Sequence, residues 1–283
     1  MGFCTNCGKQ IDEDSTFCRY CGGKIETGQA VSPVNASGDW GAAIPQAPNR
    51  IKKPVVIGIV AVLVVVIAFG IYHLLGGGAK PEVGDIIEFG GYEWRVLEVR
   101  DGKALILSDE VLDLRKYNDD YSEVTWESCD LRRYLNSDFY NSFKKTEQKR
   151  IKESRITNSD NPYYGTIGGR DTDDKVFLLS LDEVVKYFGD SGQLRSGSSY
   201  IDDQYNSARR AYIRKDWNGW AELGATREDW EEFLEEHKGT SLWCLRSPGS
   251  DSDFAAYVDF DGSVDVDGDD DIGGVRPALW LNL

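Results

Sequence analysis

Residues 54–75 read PVVIGIVAVLVVVIAFGIYHLL, 22 residues without Asp, Glu, Lys or Arg. About 20 apolar residues suffice to cross the hydrocarbon core as a helix. Val and Ile disfavour helix in water, but in lipid the backbone must satisfy its own hydrogen bonds and helix wins. Pro54 stands where a first helical turn tolerates proline, and Gly76-Gly77-Gly78 closes the run. The run is too long, and begins too far into the chain, for a cleaved signal peptide. The sequence therefore predicts one transmembrane helix over 54–75. Arg50, Lys52 and Lys53 precede it, whereas Lys80 and then acidic residues follow. Positive flanks stay on the cytoplasmic side. The expectation is a single-pass protein of the cell membrane, N-terminus cytoplasmic and C-terminus extracellular, with the lipid bilayer as one partner.

Charge divides the chain at the same place. The net charge is −16, and residues 79–283 hold 26 Lys and Arg against 43 Asp and Glu, a net of −17. Such a domain repels phosphate backbones, so no nucleic acid is expected as a partner. The acidity is otherwise explained by solubility. The six cysteines split four and two, which is too few for a disulfide scaffold.

Four of them form Cys4-x-x-Cys7, ten intervening residues, then Cys18-x-x-Cys21. Two such turns present four thiolates, which close a tetrahedral zinc shell and leave no position open for catalysis. Gly8 and Gly22 follow each pair and permit the tight turns that bring backbone amides to the sulfurs. A unit of about 25 residues buries too little apolar surface to fold unaided, so the metal must supply its stability. A cytoplasmic setting disfavours two disulfides, and no βαβ pattern supports a redox reading. Residues 1–25 are thus expected to be a ribbon with structural zinc on Cys4, Cys7, Cys18 and Cys21. It has no basic patch, so a protein-docking or purely structural role is expected, with a cytosolic protein as the candidate partner. Residues 26–53, rich in Gly, Ser, Ala, Pro and Gln, form a flexible linker, and 76–83 a short one.

Residues 84–283 are expected to be an acidic, extracytoplasmic α+β domain. Three strands at its start, Asp85–Phe89, Glu93–Val99 and Ala104–Leu107, are split by Gly90-Gly91 and by the hairpin signal Asp101-Gly102. Helical spacing covers Trp126–Leu135, a second short helix lies around Phe139–Phe143, and Thr146 is the N-cap of another helix through Ile151. Val176–Leu179 reads as a strand and Leu181–Phe188 as a helix ended by Gly189. Thr226 with Asp229 forms a capping box for a helix through Glu236, with Gly239 beyond it. Leu242–Arg246, Ala255–Phe260, Ser263–Val266 and Val275–Leu281 close the chain as strands. Strands at both ends and helices between them suggest a sheet in which first and last strands pair.

Two resemblances arise from these residues. The stretch C-x2-C-G, acidic linker, F-C-x2-C-G over residues 3–24 resembles the short zinc ribbons that begin many Gram-positive bacterial membrane proteins. The ordered set GDIIEFGGYEWRVL, TWESCDLRRYLN, LWCLRSPG and GGVRPALWL resembles a widespread uncharacterised Gram-positive domain family, often joined to such ribbons and to transmembrane helices. Its ending is similar to the C-type-lectin-like fold shared with formylglycine-generating enzymes. The resemblance implies α+β architecture with a C-type-lectin-like C-terminal domain, and fold alone confers no function.

Candidate sites in that domain are few. Formylglycine-type chemistry needs a reactive cysteine pair, for which Cys129 and Cys244 are the candidates; packing explains both more simply. Cys244 also stands where the family usually has Trp. His237 sits among acids and gives no nucleophile–base pair, and with 43 acids no carboxylate pair is singled out. Asp259, Asp261, Asp265, Asp267 and Asp269, with Asp270 and Asp271, crowd one hairpin and make calcium a candidate cofactor. No EF-hand spacing is present, and the Asp-Val-Asp alternation equally fits a solvated strand face. Arg246 and Arg276, inside two family motifs, are candidate ligand contacts, or partners of core carboxylates. Trp94, Trp126, Trp243 and Trp280 fit the core. These residues point to a binding module for an extracellular protein or glycan, with no catalytic residues named. The alternatives are a surface enzyme and a scaffold that recruits cytosolic proteins through the ribbon.

Overall fold

The computed structural model of the protein describes residues 2–3, 10–11, 80–120, 122–269 and 272–283. The chain divides into two units, Met1–Gly28 with Pro81–Leu283, and Gln29–Lys80. Every strand and helix among the described residues belongs to the first unit.

Near the N-terminus, β1 (Gly2–Phe3) and β2 (Gln10–Ile11) pair antiparallel, Gly2 opposite Ile11 and Phe3 opposite Gln10. Cys4 and Cys7 belong to the connection between them; all four expected zinc ligands lie outside the described residues.

The larger part is built on two main sheets. The first has the order β3 (Ile86–Phe89), β4 (Tyr92–Arg100), β5 (Lys103–Ser108), β17 (Ala278–Asn282) and β7 (Ile151–Lys152), antiparallel throughout. Gly90 and Gly91 make the first hairpin at φ +63° and +83°, and a side chain on Gly90 would overlap the Phe143 ring. The last strand pairs with the third, Trp280 opposite Leu105, so the two chain ends of the domain share one sheet.

The second sheet has the order β10 (Tyr200–Ile201), β15 (Val264–Asp269), β14 (Ala255–Val258), β13 (Trp243–Pro248), β16 (Gly273–Val275) and β6 (Asp113–Arg115). Its β13–β16 pair is parallel and the others antiparallel. All six residues of β13 are buried, as suits a strand covered on both faces. Two short pairs, β8 (Ser154–Ile156) with β9 (Thr172–Asp174) and β11 (Ala211–Tyr212) with β12 (Thr240–Ser241), lie outside these sheets.

The stretch expected as one strand over Val275–Leu281 is thus two strands in different sheets. Pro277 has no N–H to give a ladder, so the chain leaves the second sheet after Val275 and enters the first at Ala278. The Pro277 carbonyl accepts from Ser108 N at 2.9 Å, and Leu112 N donates to the Val275 carbonyl at 2.9 Å, which stitches the corner. Arg276 stands at that corner.

Helices cover the sheets. Asp130–Tyr134 begins at Cys129, whose Sγ accepts from Arg132 N at 3.3 Å. It runs through one wide π turn, Leu135–Phe139, into Tyr140–Ser142. The helix expected from an N-cap at Thr146 through Ile151 instead spans Lys145–Gln148 with Lys144 as its N-cap, and it stops there because Ile151 pairs with Leu281 at a sheet edge. Leu181–Phe188 starts on a capping box of Ser180 and Glu183 and stops at Gly189, φ +97°. Arg227–Glu236 starts on the box of Thr226 and Asp229, and Gly239 N reaches back to Leu234 O at 2.8 Å.

The expected fold class is corrected on one point. No helix among the described residues is long and apolar enough to cross a membrane. The longest, Arg227–Glu236, has ten residues and is rich in acid, half the length that a bilayer demands. The expected span, residues 54–75, lies outside the described residues. What the structure describes is a mixed α+β fold.

The core joins both sheets. Trp94, Trp126 and Trp243 are fully buried and each indole N–H is satisfied: by Phe89 O at 2.8 Å, by Asp174 Oδ2 at 2.8 Å and by Arg209 O at 3.1 Å.

Candidate ligand-binding cleft

A cleft of about 560 Å³ opens beside the Arg276 corner. Strand β4 contributes Glu93 and Arg95, and the chain leaving β5 contributes Asp109 and Glu110. The opposite side comes from the segment around β11: Arg210, Tyr212, Arg214 and Lys215. Trp230 and Leu234, one turn apart on the helix Arg227–Glu236, form an apolar wall, and Lys238 and Gly239 follow them. Arg276 lines the cleft from the core side. Hydrogen bonds fix this arrangement: Val111 N to Tyr212 O at 2.8 Å, Arg214 N to Val111 O at 3.0 Å and Ile213 N to Gly239 O at 3.0 Å. The wall is stiffened by stacking, with Trp230 5.2 Å from Phe233 and 4.7 Å from Trp217.

The cleft inverts the charge of its surroundings. It gathers six Lys and Arg with three acids, in a domain where acids far outnumber bases. Arg95 pairs with Asp109 at 2.6 Å, and Arg214 with Asp216. Burial, with Asp109 and Glu93 close by, pushes the Glu110 carboxyl above its ordinary value, against the pull of Arg214 and Lys215.

The two arginines singled out from sequence lie in different settings. Arg246, on β13, is buried and ion-paired to Glu183; it also donates to Leu178 O at 2.6 Å and Thr157 O at 3.1 Å. Arg276 is buried without a carboxylate partner among the described residues. It donates through Nε to Ser108 O at 2.9 Å and through Nη2 to Asp109 O at 3.4 Å.

The aspartates of the last hairpin are occupied locally. Asp259 Oδ1 accepts from Phe260 N, and Asp261 Oδ1 from Ser263 N and Oγ. Asp265 accepts from Asp267 N, Gly268 N and the Tyr257 hydroxyl. Asp267 is exposed; Asp269 ends β15. No three His, Cys, Asp or Glu side chains gather to hold a metal among the described residues.

Cys129 and Cys244 are both free and buried. Burial pushes their thiols up to about 11 and about 12, so both are protonated at neutral pH and neither is a ready nucleophile. His237 stacks on Phe260 at 3.9 Å. Sequence reasoning misses most of the cleft. Its residues run from Glu93 to Arg276 and meet through pairings distant in sequence; only Arg276, in its G-G-V-R-P motif, stands out in the sequence.

The family model described as "Domain of unknown function (DUF6273)" matches residues 101–283. The chain belongs to this family. The match begins in the β4–β5 turn, so Glu93 and Arg95 of the cleft stand outside the matched part of the DUF6273 domain. A second model, of a zinc-ribbon domain, matches residues 3–25, and domains of that kind carry structural zinc. No curated protein and no solved structure matches the chain, so the C-type-lectin-like resemblance is without support from them.

Proposed function

We propose that the DUF6273 domain is a binding module for a protein or glycan, and that the cleft is its contact site. One observation carries this reading: a cleft with an aromatic wall concentrates cationic side chains in an acidic domain. Convergent polar groups beside a rigid apolar wall are the usual makeup of a recognition site. The burial of Cys129 and Cys244 weighs against a cysteine-based form of the enzyme alternative.

Within the same proposal, Cys4, Cys7, Cys18 and Cys21 hold the structural zinc. The location is the cell membrane, with the ribbon inside and the module outside. Its support is compositional: the uncharged residues 54–75 and the basic Arg50, Lys52 and Lys53 before them. Protease treatment of intact cells should digest residues 79–283 and spare the ribbon; the reverse pattern rejects the placement.

The binding test uses the purified full chain on a glycan array and against purified surface proteins. Reversing two rim charges, Arg210→Glu with Lys238→Glu, should weaken an acidic protein or glycan ligand at least ~10-fold, as loss of charge complementarity does. Binding indifferent to this change, or no saturable binding, removes the cleft from the reading.

A further inference from the structure

We infer that Arg276 is the anchor for a carboxylate carried by the cleft's ligand. This rests on the binding-module reading above and adds the chemistry of what is bound.

Arginine has five N–H donors and no acceptor, and burying it is costly unless they are met. Three arginines of the domain are almost wholly buried: Arg209, Arg246 and Arg276, the last at 2% exposure. Arg209 pairs with Asp203 at 2.8 Å and Arg246 pairs with Glu183. Each of the three leaves one buried nitrogen without a partner, Nε in Arg209 and Arg246 and Nη1 in Arg276, but Arg276 has two backbone carbonyls in place of a carboxylate. Asp109 is the nearest candidate to neutralise it, but Arg95 already holds that carboxylate. The faces of Trp243 and Phe188, 4.9 and 5.6 Å from the guanidinium carbon, soften the charge without accepting a hydrogen bond. The same burial pulls the Arg276 pKa down, to about 9. At neutral pH the group is charged and lines the cleft, and a small shift of its side chain toward the cleft would let an arriving anion accept from Nη1 and cancel that charge.

The surroundings narrow the choice of ligand. Glu93, Asp109 and Glu110 temper the excess of Lys and Arg in the cleft, so its charge draws in an anion without fixing which kind. Trp230 and Leu234 offer a flat apolar wall, which suits a carboxylate borne on a flat or apolar body rather than a free small ion.

Benzoate and its neutral isostere benzamide are the probes, titrated by calorimetry or ligand-observed NMR against the purified full chain at fixed ionic strength. Benzoate should bind saturably and benzamide at least ~10-fold more weakly, the factor expected for one lost charge-assisted hydrogen bond. Arg276→Gln should erase the difference between the two. Near-UV circular dichroism checks that this variant is folded. If it is not, Arg210→Glu with Lys238→Glu serves instead, lowering benzoate affinity and sparing benzamide. Equal binding of the two probes, benzoate binding unchanged in a folded Arg276→Gln, or no binding of either overturns the inference. Phenyl phosphate binding more tightly than benzoate overturns the choice of carboxylate. If the probes fail while an array ligand still depends on Arg210 and Lys238, the carboxylate inference falls alone. If nothing depends on those two residues, the binding-module reading falls with it.

Discussion

Asp174 shows how much one buried residue organises. It is 1% exposed and accepts from three side chains: Trp126 Nε1 at 2.8 Å, Thr172 Oγ1 at 2.7 Å and Arg132 at 2.7 Å. The helix from Asp130, the strand β9 and a fully buried tryptophan are all tied to this carboxylate. Removing it leaves a guanidinium facing an empty buried site and an indole N–H unpaired, and each loss adds to the other. Asp174→Ala should therefore cost about 3–5 kcal/mol, the usual penalty for breaking a buried pair from one side. Urea unfolding measures it; a change below about 1 kcal/mol would mean that water replaces the carboxylate freely. Nothing in the sequence singles out Asp174 among 43 acids in its domain. Its role comes from Trp126, which is distant in the chain, and composition carries no trace of that meeting. Arg246 is legible in the sequence as buried or binding, since its motif is specific, but the choice between them needs Glu183 in space.

Elements whose signals are local are readable to within a residue or two. The helix Leu181–Phe188 has apolar residues on one face, Gly189 at its end and Ser180 before it. The helix Arg227–Glu236 follows Thr226 and Asp229 in the same way. The elements that differ from expectation depend on remote pairing. Ile151 looks helical beside Thr146, but its strand exists because Leu281 lies opposite. Val275–Leu281 reads as one strand because its apolar residues suit the interior of either sheet; only Pro277 hints at the break. The capping box at Ser180 also does more than close a helix. Its Glu183 Oε2 accepts from Ser180 N at 3.0 Å and forms the ion pair with Arg246. The two halves of the box should thus differ in cost. Ser180→Ala removes one cap and should cost about 1 kcal/mol. Glu183→Ala also strands a buried guanidinium and should cost about 3 kcal/mol or more. Equal losses in denaturant melts would show that the ion pair adds nothing to the cap.

At the scale of the molecule, two families of stabilising force are separated along the chain. The described core draws every residue from Phe89 to Leu281 and joins two sheets through the Arg276 corner. Apolar burial and paired carboxylates suffice for a unit of that size. The zinc-ribbon match over residues 3–25 covers a piece too short for such a core, so its stability must come from metal binding. Metal removal therefore separates the two. The purified full chain should contain one zinc, and Cys4→Ser should lose it on mild chelation. Chelation should abolish the amide protection of the β1–β2 pair, measured by hydrogen exchange, because zinc supplies about 10–16 kcal/mol to ribbons of this kind. The main thermal transition belongs to the core between Phe89 and Leu281 and should move by less than about 2 °C, since every residue of the described core lies between those two positions. A larger drop would show that the ribbon's zinc also supports the DUF6273 domain, and retained protection in the metal-free chain would show that the ribbon folds without it.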